Sequence, residues 1–153
     1  TITQALSNMN GIISLAPGSI GPALGNHMIN NGDLLSLSEE VIKPFYQHKA
    51  QRAVSLLQNA ITDPRFRIHK PEGAIFLWLW FDQLPISTMA LYQRLKQRGV
   101  LVIPGEYFFI GQSEPWEHAH QCLRMNYVQE DEMMQQGIAI IAEEVAKAYQ
   151  EGS

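Results

Sequence analysis

"FRIHKPEGAIFLWLWF", residues 66–81, is the stretch whose pattern decides the fold. It divides into two extended pieces around a Pro71-Glu72-Gly73 turn, since proline pre-sets φ and glycine frees the backbone there. In the second piece Phe76, Trp78 and Trp80 point one way, and Ile75, Leu77, Leu79 and Phe81 the other. A strand that is apolar on both faces lies in the middle of its sheet or is covered on both sides. The stretch therefore predicts a hairpin-like strand pair with packing partners above and below.

Upstream, "SLSEEVIKPFYQHKAQRAVSLLQNAI" (36–61) predicts a long helix, opened by a capping box of Ser36 with Glu39. Val41, Phe45, Ala53, Leu57 and Ile61 recur on one helical face. Pro44 kinks that helix or limits its first part, because it lacks a donor and crowds the preceding turn. "TDPR" (62–65) stops it. Downstream, "PISTMALYQRLKQRG" (85–99) predicts a helix ending at Gly99, and "VLVIPG" (100–105) a short buried strand. A loop runs to about Ala119, and "QCLRMNYV" (121–128) reads as another buried strand. The last helix opens on Glu130, Asp131 and Glu132, which suit the positive end of its dipole. Its apolar stripe is Met134, Ile138, Ile141, Val145 and Tyr149. The sum is an α+β fold with helices packed on a small sheet.

Residues 1–35 differ. "GIISLAPGSIGPALGN" (11–26) is rich in Gly, Pro and Ser, and predicts turns with two short helices that cannot close a core alone. Such a segment is expected to pack on a neighbour. With 153 residues, 46% hydrophobic and 17% charged, the chain is long enough for one domain with a real core, and its low charge implies a partly covered surface. The net charge of -4, without basic clusters, argues against nucleic acid and anionic membrane as partners. The longest apolar run, Ala74 to Phe81, is too short to span a bilayer. "TITQALSNMN" has neither the basic start nor the apolar block of a signal peptide. A lone Cys122 rules out an internal disulfide and suits a reducing, cytoplasmic setting. The start at Thr1 fits either processing or a chain cut from something larger.

Arg124 carries the sharpest chemical signal. It sits among Cys122, Leu123, Met125, Tyr127 and Val128, yet a guanidinium keeps its proton and needs acceptors for five donors. Its planar fork matches a carboxylate. The plain alternative is an edge strand with Arg124 facing water or paired with one of the 15 acidic residues. His118 and His120 form an H-x-H pair with too few neighbours for zinc, and read as surface loop histidines. "PGSIG" (17–21) lacks the lysine of a phosphate loop and reads as a turn and helix cap. Cys122 has no evident activating base, so no nucleophile is assigned, and neither is a metal site. From these residues alone, a free-standing α+β binding or interaction module stays open.

Three of the pieces are familiar in this order. "KPEGAIFLWLWF", "RGVLVIPGEYFF" and "CLRMNYV" resemble strand and loop motifs of the aspartate aminotransferase superfamily, the fold-type-I enzymes that use pyridoxal phosphate. "SNMNGIISLAPGSIGPA" (7–23) and "IHKPEGAIFLWLWF" (68–81) are similar to the valine–pyruvate aminotransferases within it. The resemblance covers nearly the whole chain. It implies the C-terminal portion of such an enzyme, with 1–35 a remnant of the large cofactor-binding domain and 36–153 the small domain. It also implies that Arg124 binds the substrate α-carboxylate, and that the partners are an amino acid and a 2-oxo acid in a homodimeric full-length enzyme. The family's Schiff-base lysine follows a serine. Here Lys43, Lys49, Lys70, Lys96 and Lys147 follow Ile, His, His, Leu and Ala. The resemblance thus implies an inactive chain that holds no cofactor itself and tends to self-associate.

Overall fold

A computed structural model describes residues 2–13, 18, 20–73, 75–112 and 114–152. The chain divides into two compact units, Thr1–Lys43 and Pro44–Ser153, a little beyond the division at 35/36 read from the sequence.

In the second unit, β1 (Phe66–Ile68) and β2 (Phe76–Phe81) run antiparallel, with Phe66 opposite Phe81 and Ile68 opposite Leu79. Further antiparallel pairs add β4 (Cys122–Asn126) beside β2 and β3 (Ile103–Pro104) beside β4, so the sheet order is β1-β2-β4-β3. β2 is central, as its two apolar faces require. Leu77, Leu79 and Phe81 are almost wholly buried, joined by Leu123 and Met125 of β4, which stand opposite Leu79 and Leu77. Three helices contribute to the same core. They are α4 (Lys43–Ala60), α5 (Thr88–Gln97) and α6 (Asp131–Glu151).

Two of these helices, α5 and α6, follow their sequence signals closely. Ser87 caps α5 by accepting from the amide of Ala90, and Gly99, at φ 80°, ends that region where a side chain would be strained. On α6 all five residues of the expected stripe are buried. At α4 the stripe is shorter than expected. Ala53, Leu57 and Ile61 are buried, whereas Val41 and Phe45 are more than half exposed. "VLVIPG" also needs correction as a buried strand. Only two of its residues pair, and Leu101 and Ile103 are exposed while Val102 and Pro104 are buried, because alternate side chains of an extended edge face water.

Ion pairs tie α5 to α6. Arg94 forks onto Glu151, and Arg98 reaches both Glu143 and Glu144 at 2.7 and 2.8 Å. Glu144 is the exception among the buried residues of α6, a carboxylate only 5% exposed that also accepts from Lys147 at 3.0 Å. The hydrogen bonds from Lys147 and then Arg98 outweigh burial and hold its carboxyl below its ordinary value.

The first unit holds α1 (Ile2–Ile13), α2 (Ile20–Asn30) and α3 (Asp33–Leu37), followed by a wide π turn at Ser38–Ile42. The capping box at Ser36 is not the helix start. The helix begins earlier, after Gly32 at φ 78°, and Ser36 lies inside α3. The π turn closes with the Lys43 amide on the Ser38 carbonyl, one residue before Pro44. This wider turn makes room for a proline ring that would otherwise crowd the preceding carbonyl. No described residue of this unit is buried, and Ile2, Leu6, Met9, Ile20, Leu24 and Leu35 are more than half exposed. In the "PGSIG" turn, Pro17 and Ser19 lie outside the described residues.

A pH dependence follows from Glu144. Its folded-state pKa is depressed, so its stabilising effect is complete above the ordinary glutamate range near 4.5 and is lost as pH falls through that range and below. Its two partners are partly exposed, so Glu144→Gln is expected to cost about 1–2 kcal/mol at pH 7. The gap between variant and parent narrows below pH ~4. Thermal unfolding at both pH values checks this, and an equal gap at both contradicts it.

Candidate functional site

The second face of the sheet is chemically unlike the core face. The antiparallel register puts Arg124 directly opposite Trp78 on β2 and opposite Ile103 on β3, with Cys122 opposite Trp80 and Asn126 opposite Phe76. All these side chains therefore share one face. Two short 3-10 turns, Gly105–Phe108 and Glu117–Gln121, fold onto it. Gly105 makes the approach possible. A Cβ there would sit 2.7 Å from Cys122 Cβ and 2.9 Å from its carbonyl, closer than backbone can yield.

The rings brought by this segment form a connected set. Trp78 meets Phe108 edge-on at 5.3 Å between centroids and Phe109 at 5.8 Å. Phe109 meets Trp116 at 5.0 Å, Trp116 meets His118 at 4.6 Å, and His118 meets Trp80 at 4.9 Å. Trp80 donates its indole N–H to Gln121 at 3.2 Å.

Arg124 stands at one end of this set, half-buried on an inner strand. Neither part of the plain alternative describes it. Its strand is not at the edge, and among the described residues it forms no ion pair. Its Cζ lies 4.1 Å from the ring centre of Phe76 and 4.7 Å from that of Phe108. Its Nε is buried and donates to nothing. A buried donor without an acceptor costs about 1–3 kcal/mol, so this cation is retained against a local penalty. What the arrangement offers chemically is a fixed positive charge on an aromatic floor, with donors left for an anion.

The two histidines separate. His118 is half-buried, its Nε2 3.4 Å from Cys122 Sγ, so the reading as a surface loop residue fails for it. His120 is exposed, with Nδ1 3.3 Å from Glu106 Oε2. Cys122 thus does have a base beside it, which the sequence reading missed. The four-residue spacing, wrapped into a tight turn, was the available signal. That neighbour does not activate it. Burial pushes the thiol up to about 11, against a smaller lowering by a hydrogen bond with the Trp78 side chain. Among the described residues, no three His, Cys, Asp or Glu side chains are grouped as a metal would need. No helix among them is long and apolar enough to cross a membrane.

The α+β fold of helices on a four-stranded antiparallel sheet matches the C-terminal portion of an aminotransferase, and sequence and structure comparisons agree on that class of similarity. No family model matches. The particular likeness is to valine–pyruvate aminotransferase. The chain is 57% identical over 150 residues to the Escherichia coli (strain K12) protein of that name, covering 98% of this chain and 36% of the relative. The crystal structure of valine-pyruvate aminotransferase from Salmonella typhimurium LT2 matches with a TM-score of 0.90 and 57% identity, over 97% of this chain and 38% of that one. A multiple substrate aminotransferase from Thermococcus profundus shares the fold, with a TM-score of 0.77 at 22% identity, over 92% of this chain and 33% of its own. The chain therefore spans little more than a third of the length of these relatives.

Cys122 is fully buried and its thiol is held far above neutral pH. It is expected to resist a thiol-specific disulfide reagent at pH 8 in the native chain and to react within seconds once denatured. Rapid native-state labelling, read by absorbance or mass, would show that His118 does activate it.

Proposed function

We propose that this chain is the C-terminal portion of a pyridoxal-phosphate-dependent aminotransferase. The enzyme would exchange an amino group between valine, or a similar aliphatic amino acid, and pyruvate, and in it Arg124 would bind the substrate carboxylate. The observation that carries this reading is Arg124 itself, a half-buried guanidinium with an unused donor, aromatic neighbours and no acidic partner among the described residues. The 57% identity to valine–pyruvate aminotransferase supplies the substrate class. Two parallel charge-assisted hydrogen bonds from one fork fix both oxygens of a carboxylate, and so set the direction of the bond to Cα.

When bound, pyridoxal phosphate supplies an electron sink for the bonds at that carbon. The residues of this chain do not make up a place for it. Arg124's close ring contacts are to phenylalanines, and no lysine of the chain follows a serine. The anchoring lysine and the groups that hold the cofactor are assigned to sequence preceding Thr1. Residues 1–35 are assigned to the large domain and 36–153 to the small one. The unburied apolar residues of α1 and α2 support this, since they suit a segment covered by more protein. The longer protein is expected to be a cytoplasmic homodimer, and the chain alone to self-associate.

Two tests bear on this reading, and the first separates it from a non-catalytic binding module. In the longer enzyme, Arg124→Lys keeps the charge but loses the fork, so kcat/KM for valine should fall about 10–100-fold, mainly through KM. An unchanged kcat/KM would remove Arg124 from the carboxylate site. The purified 153-residue chain, given pyridoxal phosphate, valine and pyruvate, should form no alanine. Alanine above the blank would show that the reacting groups lie within the chain after all.

A further inference from the structure

The proposed carboxylate site leaves open what holds Arg124 in place, and here the contacts are unusual. A side chain that recognises a ligand is held in its rotamer by packing and by hydrogen bonds from its neighbours. In this chain the Nε is buried without an acceptor, and among the described residues no ion pair engages the head group. Its close neighbours are two π faces from separate elements, Phe76 of β2 at 4.1 Å and Phe108 of the 3-10 turn at 4.7 Å. Phe108 is itself steadied by the edge of Trp78, at 5.3 Å and 82° between ring planes.

We propose that Phe76 and Phe108 are positioning residues for substrate. Their ring faces set the plane of the Arg124 guanidinium and present its outer N–H groups to a carboxylate. This deepens the carboxylate reading above and rests on it. The physical basis is that a guanidinium is weakly hydrated and planar. It therefore lies readily on aromatic faces, while all its donors point outward in its own plane. With ring faces occupying the cation's π surface and the Nε sealed from solvent, the outer nitrogens remain to meet an anion. Such a site suits a flat, two-oxygen group. Both the amino acid and the 2-oxo acid carry one, so the positioning serves both half-reactions equally.

Phe108 is the residue to test first, because at 43% exposed it is not part of the packed core. Phe108→Leu removes the ring face, Phe108→Met replaces it with flexible bulk, and Phe108→Tyr keeps it. In the 153-residue chain, nitrogen-15 NMR of the Arg124 Nε–H follows its exchange with water. Exchange should quicken about 10-fold or more in the Leu and Met variants, and stay at the parent rate in Phe108→Tyr. In the longer enzyme, KM for valine and for pyruvate should rise together by about 5–20-fold in the Leu and Met variants, with kcat within about 2-fold and restoration by Tyr. Parental KM values for both Leu and Met, alongside a raised KM in Arg124→Lys, overturn the positioning role and leave the carboxylate site standing. If Arg124→Lys also leaves KM unchanged, both readings fall.

Discussion

Burial of one face of β2 is the constraint from which the rest of the second unit follows. Leu77, Leu79 and Phe81 leave water almost entirely, and β1 and β4 flank them to complete the backbone hydrogen bonding. Covering that face takes three helices, whose buried residues form a single cluster with the sheet. Each fully buried Leu or Phe is worth about 1.5–3 kcal/mol of transfer free energy, so this layer is where the unit's stability concentrates. The ion pairs of Arg94 and Arg98 lie at the rim of this layer, joining α5 to α6.

Because side chains alternate along a strand, settling one face of β2 also settles the other. Phe76, Trp78 and Trp80 are then committed to the opposite side, and the register with β4 brings Arg124 directly beside Trp78. A slip of one residue would drive Arg124 into the helix-covered core and turn Leu123 and Met125 outward. The core thus fixes the position of the cation through the register of β2 and β4. The approach of the Gly105–Phe108 turn to this face depends on a second, local constraint, the absence of a side chain at Gly105 against Cys122. The same close packing buries the thiol, and that burial pushes it up to about 11 even with His118 adjacent.

The first unit obeys a different logic. Its helices form, yet none of its described residues is buried, and apolar side chains at Ile2, Leu6 and Met9 recur at helical spacing in the open. Local propensity suffices for a helix, but an uncovered apolar stripe has not found its partner surface. The relatives are nearly three times as long as the stretch they share with this chain.

By itself the sequence determined the type of most elements and the burial pattern of β2 and α6. The alternation at 76–81, the stripe of α6 and the stop at Gly99 are all local, carried by periodicities of two or 3.6 residues and by residues with restricted backbones. It also marked Arg124 as a cation in need of an explanation. What it could not determine were relations between distant positions. Phe108 and Phe76 are far apart along the chain, and only the fold sets both against Arg124. His118 reaches Cys122 because a 3-10 turn closes four residues that read as strand or loop. The helix start moved from Ser36 to Gly32, and Val41 and Phe45 left the expected stripe, because a π turn ahead of Pro44 changed the helical phase. Periodicity is legible residue by residue, whereas contact across the sheet depends on register, and register is a property of the whole packed layer.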